Sequence, residues 1–399
     1  MTRPLDGIKV LDFSEHGYVP SAAAALGDFG ADVIKIERPG GDAMRTIIGR
    51  GIVPTRDGYD YLFEVCNRNK RGICLDVESA DGREVFERLV RWAEVYITNQ
   101  LPRVRRKLRT DAADLMAINP RLVYAKGHGQ GQRGDDAEVG GYDGVSYWAR
   151  GGVAEVLTAP DATAPAQQRP ALGDIPSGMF LAGGVCAGLV HVSRTGKGIV
   201  VDGSLLAAAT WTLAPDLAYS SLTAQKLPVP TPDMMTPLMR QYRTTDGHWI
   251  ALMMIDEGRY WNPLCAALEL NEFAEHAADA DSRRAVWPRL ADRLETVISA
   301  LDRESLAGRL RAHDCIFSFY STPTDVLADV AVNDNGYLMP HPDHPDLRLA
   351  AAPVQFDDAS PAIRRAGPSL GEHSRQILQD IGYAERDIER LCNEHVIGG

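Results

Sequence analysis

A chain of 399 residues with 45% hydrophobic and 24% charged residues has a globular composition and exceeds one ordinary core, so two or three domains are expected. A formal net charge of −12 argues against nucleic acid or an anionic membrane surface as the main partner. No apolar run reaches the roughly 18 residues of a membrane span, and residues 1–20 lack a signal-peptide pattern, so a cytoplasmic protein is expected.

The six cysteines contain no C-x-x-C pair, and the ten histidines show no H-E-x-x-H spacing. Reduced thiols and no metal site are expected from that pattern.

In chain order, Gly7–Phe13 reads as a strand, Ser21–Phe29 as an Ala-rich helix and Asp32–Glu37 as a second strand. Strand, helix and strand within about 30 residues make a βαβ unit and imply a parallel sheet. The unit resembles the start of a dinucleotide-binding domain, but the turn Ser14–Pro20 has one glycine where pyrophosphate approach needs three. The alternation continues: helix at Glu84–Ala93, strand at Val95–Thr98, short helix at Ala112–Ile118 and strand at Arg121–Ala125. That last strand runs into the glycine-rich turn Gly127–Gly131, at the strand end where open α/β sheets bind ligands. Two basic clusters, Arg68, Lys70, Arg71 and then Arg103, Arg105, Arg106, Lys107, fit either a phosphate-bearing ligand or a solvated face.

The stretch Arg169–Met179 sets one carboxylate, Asp174, at the start of a long apolar helix that ends near Arg194-Thr195-Gly196. Pro176 fits its first turn, and the helix N-terminus favours a charged carboxylate. By residue preference Asp174 is an N-cap, and the local pattern leaves open whether it does more. A strand at 199–206 and a helix at 206–214 follow. The Pro-rich 222–236 reads as a linker, and Arg240–Leu252 as a hairpin on a D-G turn. Mostly helical sequence runs from 260 to 312, a second linker covers 326–347, and the tail from 348 is largely helical. The expected organisation is a large α/β domain (1–221 with 348–399) carrying a smaller inserted α+β domain (237–325).

Several pieces together resemble the class III CoA-transferases of the CaiB/BaiF type, the group of formyl-CoA transferase and α-methylacyl-CoA racemase. They are Pro4–Phe13, Gly30–Pro39, Asn69-Lys70-Arg71 with Leu75-Asp76, Thr195–Ser204 and Gly371-Glu372-His373, in the family's order over nearly the whole chain.

The resemblance implies a Rossmann-like large domain and an interlocked homodimer whose chains pass through each other like linked rings. It implies acyl-CoA and a carboxylic acid as substrates, with no tightly bound cofactor. It makes Asp174 the nucleophile, passing through an aspartyl anhydride and an aspartyl-CoA thioester. It puts Arg38, Leu75, Asp76, Val77, Glu78, Asn99, Gln100 and Lys107 on the CoA nucleotide. His16, Gly17, Gly141 and Tyr142 fall near the acyl group. Gly17 stands where formyl-CoA transferase has glutamine, and the family's glycine-rich substrate loop is replaced by Pro237–Tyr242, so a larger, more apolar acyl group is expected. Met234, Met235, Leu238 and Met239 are candidates to line its pocket. The alternatives are a racemase, an intramolecular CoA-transferase and a non-catalytic acyl-CoA binder. Tyr142 stands where the racemases carry histidine, and tyrosine is a poor partner base.

Overall fold

The computed structural model describes residues 3–357 and 362–398. The chain forms two compact units, Met1–Leu222 with Ala331–Gly399, and Thr223–Val330.

In the larger unit, β1 (Lys9–Phe13), α1 (Tyr18–Asp28), β2 (Asp32–Glu37), α2 (Tyr61–Asn67), β3 (Lys70–Leu75), α3 (Ala80–Trp92) and β4 (Val95–Thr98) come first. Then follow α4 (Pro102–Leu108), α5 (Ala112–Ile118), β5 (Val123–His128), α6 (Val153–Leu157), α7 (Asp174–Thr195), β6 (Ile199–Ser204), α8 (Leu205–Thr212) and α9 (Ala214–Thr223). The smaller unit contains β7 (Gln241–Arg243), β8 (Trp249–Leu252), α10 (Glu257–Ala267), α11 (Ala280–Ser299), α12 (Arg303–Ala312), β9 (Phe317–Phe319) and α13 (Pro323–Ala328). The chain returns through α14 (Val330–Asp334), β10 (Leu338–Pro340), β11 (Arg348–Ala350), α15 (Ser374–Asp380), α16 (Glu385–Asn393) and β12 (Ile397–Gly398). The stretches expected as linkers are not plain tethers, since α9 runs to Thr223 and 326–347 holds α14 and β10.

The main sheet has the order β12-β3-β2-β1-β4-β5-β6, parallel except for β12. The order 3-2-1-4-5-6 reverses between β1 and β4, the position where open α/β sheets leave a crevice at their carboxyl ends. Side chains alternate across each strand. Val10, Val33, Val95 and Val123 pack under α1 and α7, while Leu11, Ile34, Tyr96 and Tyr124 face α3, α15 and α16. The smaller unit has a three-stranded antiparallel sheet, β7-β8-β9, on its own core of Trp261, Leu264, Leu290 and Leu294.

β3 is absent from the sequence reading because it begins Lys70-Arg71. Both side chains are buried: Lys70 Nζ lies 2.7 Å from Asp12 Oδ2, and Arg71 pairs with Asp32 and Asp380. Arg68 pairs with Asp28 at 2.6 Å. This basic cluster therefore holds strands and helices together and does not face a ligand. α7, 22 residues with mean hydropathy 1.6 in its most apolar stretch, is long and apolar enough to cross a membrane by length and composition, contrary to expectation. It packs on the sheet through Leu181, Ala182 and Val185.

Candidate active site

A cavity of about 690 Å³ opens across the carboxyl ends of all six parallel strands. Its walls come from the segments that leave those strands: Phe13–His16 after β1, Arg38–Gly40 after β2, and Leu75–Glu78 after β3. Asn99–Leu101 follow β4, Gly127–Gly129 end β5, and Leu205 follows β6. Asp174 lies in the wall, at the first residue of α7.

α1 is thin (Ala22 to Ala25 are buried alanines) and α7 carries Gly178 where the two helices cross. A β-carbon on Gly178 would stand 2.0 Å from Ser21 Oγ, so only glycine allows this approach. The crossing brings the start of α7 against the start of α1. Gly17 precedes α1, and a β-carbon there would stand 2.3 Å from Asp174 Oδ2. The carboxyl group thus lies beside two helix N-termini, which favour its charged form.

Burial opposes that effect. Desolvation, reinforced by the nearby charge of Asp143, pushes the Asp174 carboxyl up to about 8. The expectation that the helix N-terminus keeps this carboxylate charged is thus opposed by the group's own burial. Nor is Asp174 the N-cap. That position is Gly173, whose N–H donates to Asp143 Oδ2 at 3.3 Å.

Residues 5–374 match CoA-transferase family III. The chain is 27% identical to an (R)-2-hydroxy-4-methylpentanoate CoA-transferase of Clostridioides difficile, over 98% of this chain and 99% of the relative. It is 29% identical to a formyl-CoA:oxalate CoA-transferase of Shigella sonnei, over the full length of both. A crystal structure of a CAIB/BAIF family protein from Brucella suis superposes with a TM-score of 0.79 at 28% identity, covering 96% of this chain and 100% of that one.

The chain belongs to CoA-transferase family III.

In this family III CoA-transferase, Arg38, Leu75, Asp76, Val77, Glu78, Asn99, Gln100 and Lys107 all line the cavity, as do His16, Gly141 and Tyr142. Gly17 is set behind the wall, against Asp174. Arg38 meets Glu15 at 3.3 Å, and Lys107 meets Glu78 at 2.7 Å. Of the second basic cluster only Lys107 reaches the cavity; Arg105 is buried on Asp111, and Arg106 pairs with Glu138. His16 stands at φ 67°, a left-handed conformation that a side chain rarely adopts, and its ring meets Tyr142 edge-on with centroids 5.1 Å apart. Leu238 is fully buried in the smaller unit's own core, and Met234 is exposed.

Four groups escaped the sequence reading. Asp143 binds Gln168 and the Gly173 N–H, so it anchors the helix that begins with Asp174. Tyr18 lines the cavity, its hydroxyl pushed up by burial and by the charges of Asp202 and Asp174. Ser21 hydroxyl donates to the Asp174 carbonyl at 3.5 Å. His128 shares the cavity, and burial beside Arg105 and Lys126 lowers it to about 4. The pairing of Asp143 with residues 25 and 30 positions on leaves no local pattern. The three others had signals no stronger than helix or strand membership.

Proposed function

We propose that Asp174 is the nucleophile of this CoA-transferase, moving CoA from an acyl-CoA to a free carboxylic acid. The observation that carries the reading is the Asp174 carboxyl, desolvated against Gly17 in the wall of the cavity that the CoA positions share.

The Asp174 carboxylate attacks the thioester carbonyl and expels CoA thiolate, leaving an acyl-aspartyl anhydride. The thiolate attacks the aspartyl carbon, releasing the donor acid and forming an aspartyl-CoA thioester. The acceptor carboxylate attacks that thioester to give a second anhydride. The thiolate then takes the new acyl group and restores Asp174. Each step exchanges one acyl bond for another, so the thioester energy is kept provided water is excluded. A site that already desolvates the carboxyl suits this chemistry. A desolvated carboxylate is also the stronger nucleophile once its proton has left.

Arg38 and Lys107 mark the nucleotide end of the cavity. Tyr142, His16, Tyr18 and Leu205 line the same cavity, and their assignment to the acyl end supports an acyl group larger and more apolar than formyl or oxalyl. Racemisation is disfavoured because His128, with its conjugate acid near 4, is a weak base and Tyr142 stands exposed. We also infer a homodimer. α7 leaves Phe180 and Val190 exposed, and Trp211, Leu217 and Leu222 of α8 and α9 are exposed as well, apolar side chains that a second copy could cover.

The decisive experiment incubates the protein with a panel of acyl-CoAs and free acids and follows both acyl exchange and α-proton exchange. New CoA esters that vanish in Asp174→Ala support transfer. Deuterium entering the α-carbon without acid exchange supports racemisation instead. Exchange confined to a diacid's own two carboxyls identifies the intramolecular reaction. CoA binding with neither activity leaves a binder. Hydroxylamine added during turnover should tag Asp174, and a tag elsewhere removes it as nucleophile. Sedimentation of a monomer at micromolar concentration would overturn the dimer.

A further inference from the structure

The turn that carries the chain from β1 into α1 has its backbone held almost entirely by side chains. Thr98 hydroxyl donates to the Phe13 carbonyl at 2.9 Å, and Lys35 Nζ donates to the Ser14 carbonyl at 2.9 Å. Asn99 takes both groups of Glu15: its Oδ1 accepts the N–H at 3.0 Å and its Nδ2 donates to the carbonyl at 2.6 Å. Asp42 Oδ1 accepts the His16 N–H at 3.0 Å, while its Oδ2 pairs with Lys35 at 2.8 Å. Lys35 and Asp42 are both fully withdrawn from solvent in their side chains.

Three consecutive residues of this turn touch three different parts of the cavity. The Glu15 carboxylate meets Arg38, the His16 ring meets Tyr142, and Gly17 abuts Asp174. A turn free to relax would not keep His16 at φ 67°, a conformation that side chains rarely adopt. It persists because hydrogen bonds on either side fix it. In dinucleotide-binding domains the N–H groups of the corresponding turn approach pyrophosphate. Here the N–H groups of Glu15 and His16 are already taken by Asn99 and Asp42, so the turn presents side chains to the cavity in their place.

We propose that Asn99 is a positioning residue for the reaction: its amide clamps Glu15 and, with the Lys35–Asp42 pair, presses Gly17 against Asp174. This goes beyond the nucleotide contact that resemblance suggests for Asn99, and it rests on Asp174 being the reacting group. Both functional atoms of the amide are committed to Glu15. One N–H and one lone pair stay free for a ligand, so a nucleotide contact and the clamp are chemically separable. The clamp acts on Asp174 through Gly17 and makes no contact with the carboxyl itself. Loss of the clamp therefore damages turnover, whatever the free N–H and lone pair contribute to nucleotide affinity.

Asn99→Ala and Asn99→Asp in the full chain separate the roles. Asp42 is a poor probe, because Asp42→Asn leaves Lys35 buried without its counter-ion. Three quantities are measured: the Kd of free CoA, kcat and KM with an acyl-CoA and acid pair, and hydrogen exchange of the 14–17 amides. In Asn99→Ala, kcat falls at least tenfold and by more than any rise in the Kd of CoA, and the Glu15 amide exchanges at least tenfold faster while β5 keeps its protection. Asn99→Asp keeps an acceptor for the Glu15 N–H and gives an intermediate kcat. A Kd weakened tenfold with kcat and exchange unchanged makes Asn99 a nucleotide contact only and overturns the proposal. If the unaltered protein transfers no CoA, the transfer reading fails, and the exchange measurement still decides whether Asn99 holds the turn.

Discussion

Gly17 and Asp174, 157 positions apart, meet so closely that a single β-carbon on the glycine would overlap the carboxyl group. The atom it would strike is the free end of a short side chain, so the fold can yield by turning the carboxyl away. Gly17→Ala is therefore expected to change stability by less than about 1 kcal/mol, below the usual cost of overpacking. It should cut kcat at least tenfold while leaving the Kd of CoA unchanged. Thermal melts beside steady-state kinetics check this, and full activity in Gly17→Ala would mean that the carboxyl is not used in the orientation seen.

The pH dependence follows from the raised carboxyl of Asp174. Attack needs the carboxylate, so kcat/KM should rise about tenfold per pH unit below about 8 and level off above it. A profile flat from pH 6 to 9 would contradict this.

Stability moves the other way. Below 3.8 the group is protonated whether the chain is folded or not, and it has no effect. Between 3.8 and about 8 the unfolded chain releases its proton while the folded chain keeps it, so folding weakens as pH rises. Asp174→Asn removes that loss. Its melting temperature should match the unaltered protein at pH 4 and exceed it by a margin that widens toward pH 8. The widening is at most about 1.4 kcal/mol per pH unit, and less because the group is partly exposed.

Asp143→Asn should shift the midpoint of the kcat/KM profile to lower pH, since it removes the charge that helps hold the Asp174 proton. It also keeps an oxygen for the Gly173 N–H. About a two- to tenfold gain in kcat/KM at pH 7 is the expected size. An unshifted midpoint would leave burial as the whole cause.

Lys70→Met tests the reassignment of the first basic cluster. Losing the buried partner of Asp12 should cost about 3–5 kcal/mol in a denaturant titration. In the protein that remains folded the Kd of CoA should be unchanged. Lys107→Ala, at the cavity, should do the reverse: little loss of stability, and CoA binding weakened several-fold and more so at low salt.

The parallel strands were legible wherever their residues were apolar, as at Val10, Ile34, Ile97 and Val123. The start of α7 was legible from Asp174 and Pro176, and its end from the glycine after Thr195. β3 was not, because a buried Lys70 bound to Asp12 reads like any exposed lysine; its partner lies 58 residues away. The raised carboxyl of Asp174 was hidden for a similar reason. A helix N-terminus is written in the local sequence, whereas the burial that opposes it comes from a helix crossing that only the fold creates. Asn99 shows the same limit. A motif can place a residue at a cavity, but cannot tell which of its hydrogen bonds go to the ligand and which to its own backbone.

The last strand of the sheet has a consequence for the order in which the molecule is made. β12 pairs with β3, and Ile377, Leu378, Ile388 and Leu391 close the face formed by Leu11, Ile34, Ile73 and Phe86. During synthesis the part of that face not covered by α3 stays open until Ile377, more than 300 positions beyond Ile73, has emerged. Such long-range closure is slow, and an apolar sheet face left open invites association with other chains. The nascent chain should therefore be most vulnerable to aggregation while its smaller unit is being translated, and cleavage shortly before α15 should expose that face again in the finished protein.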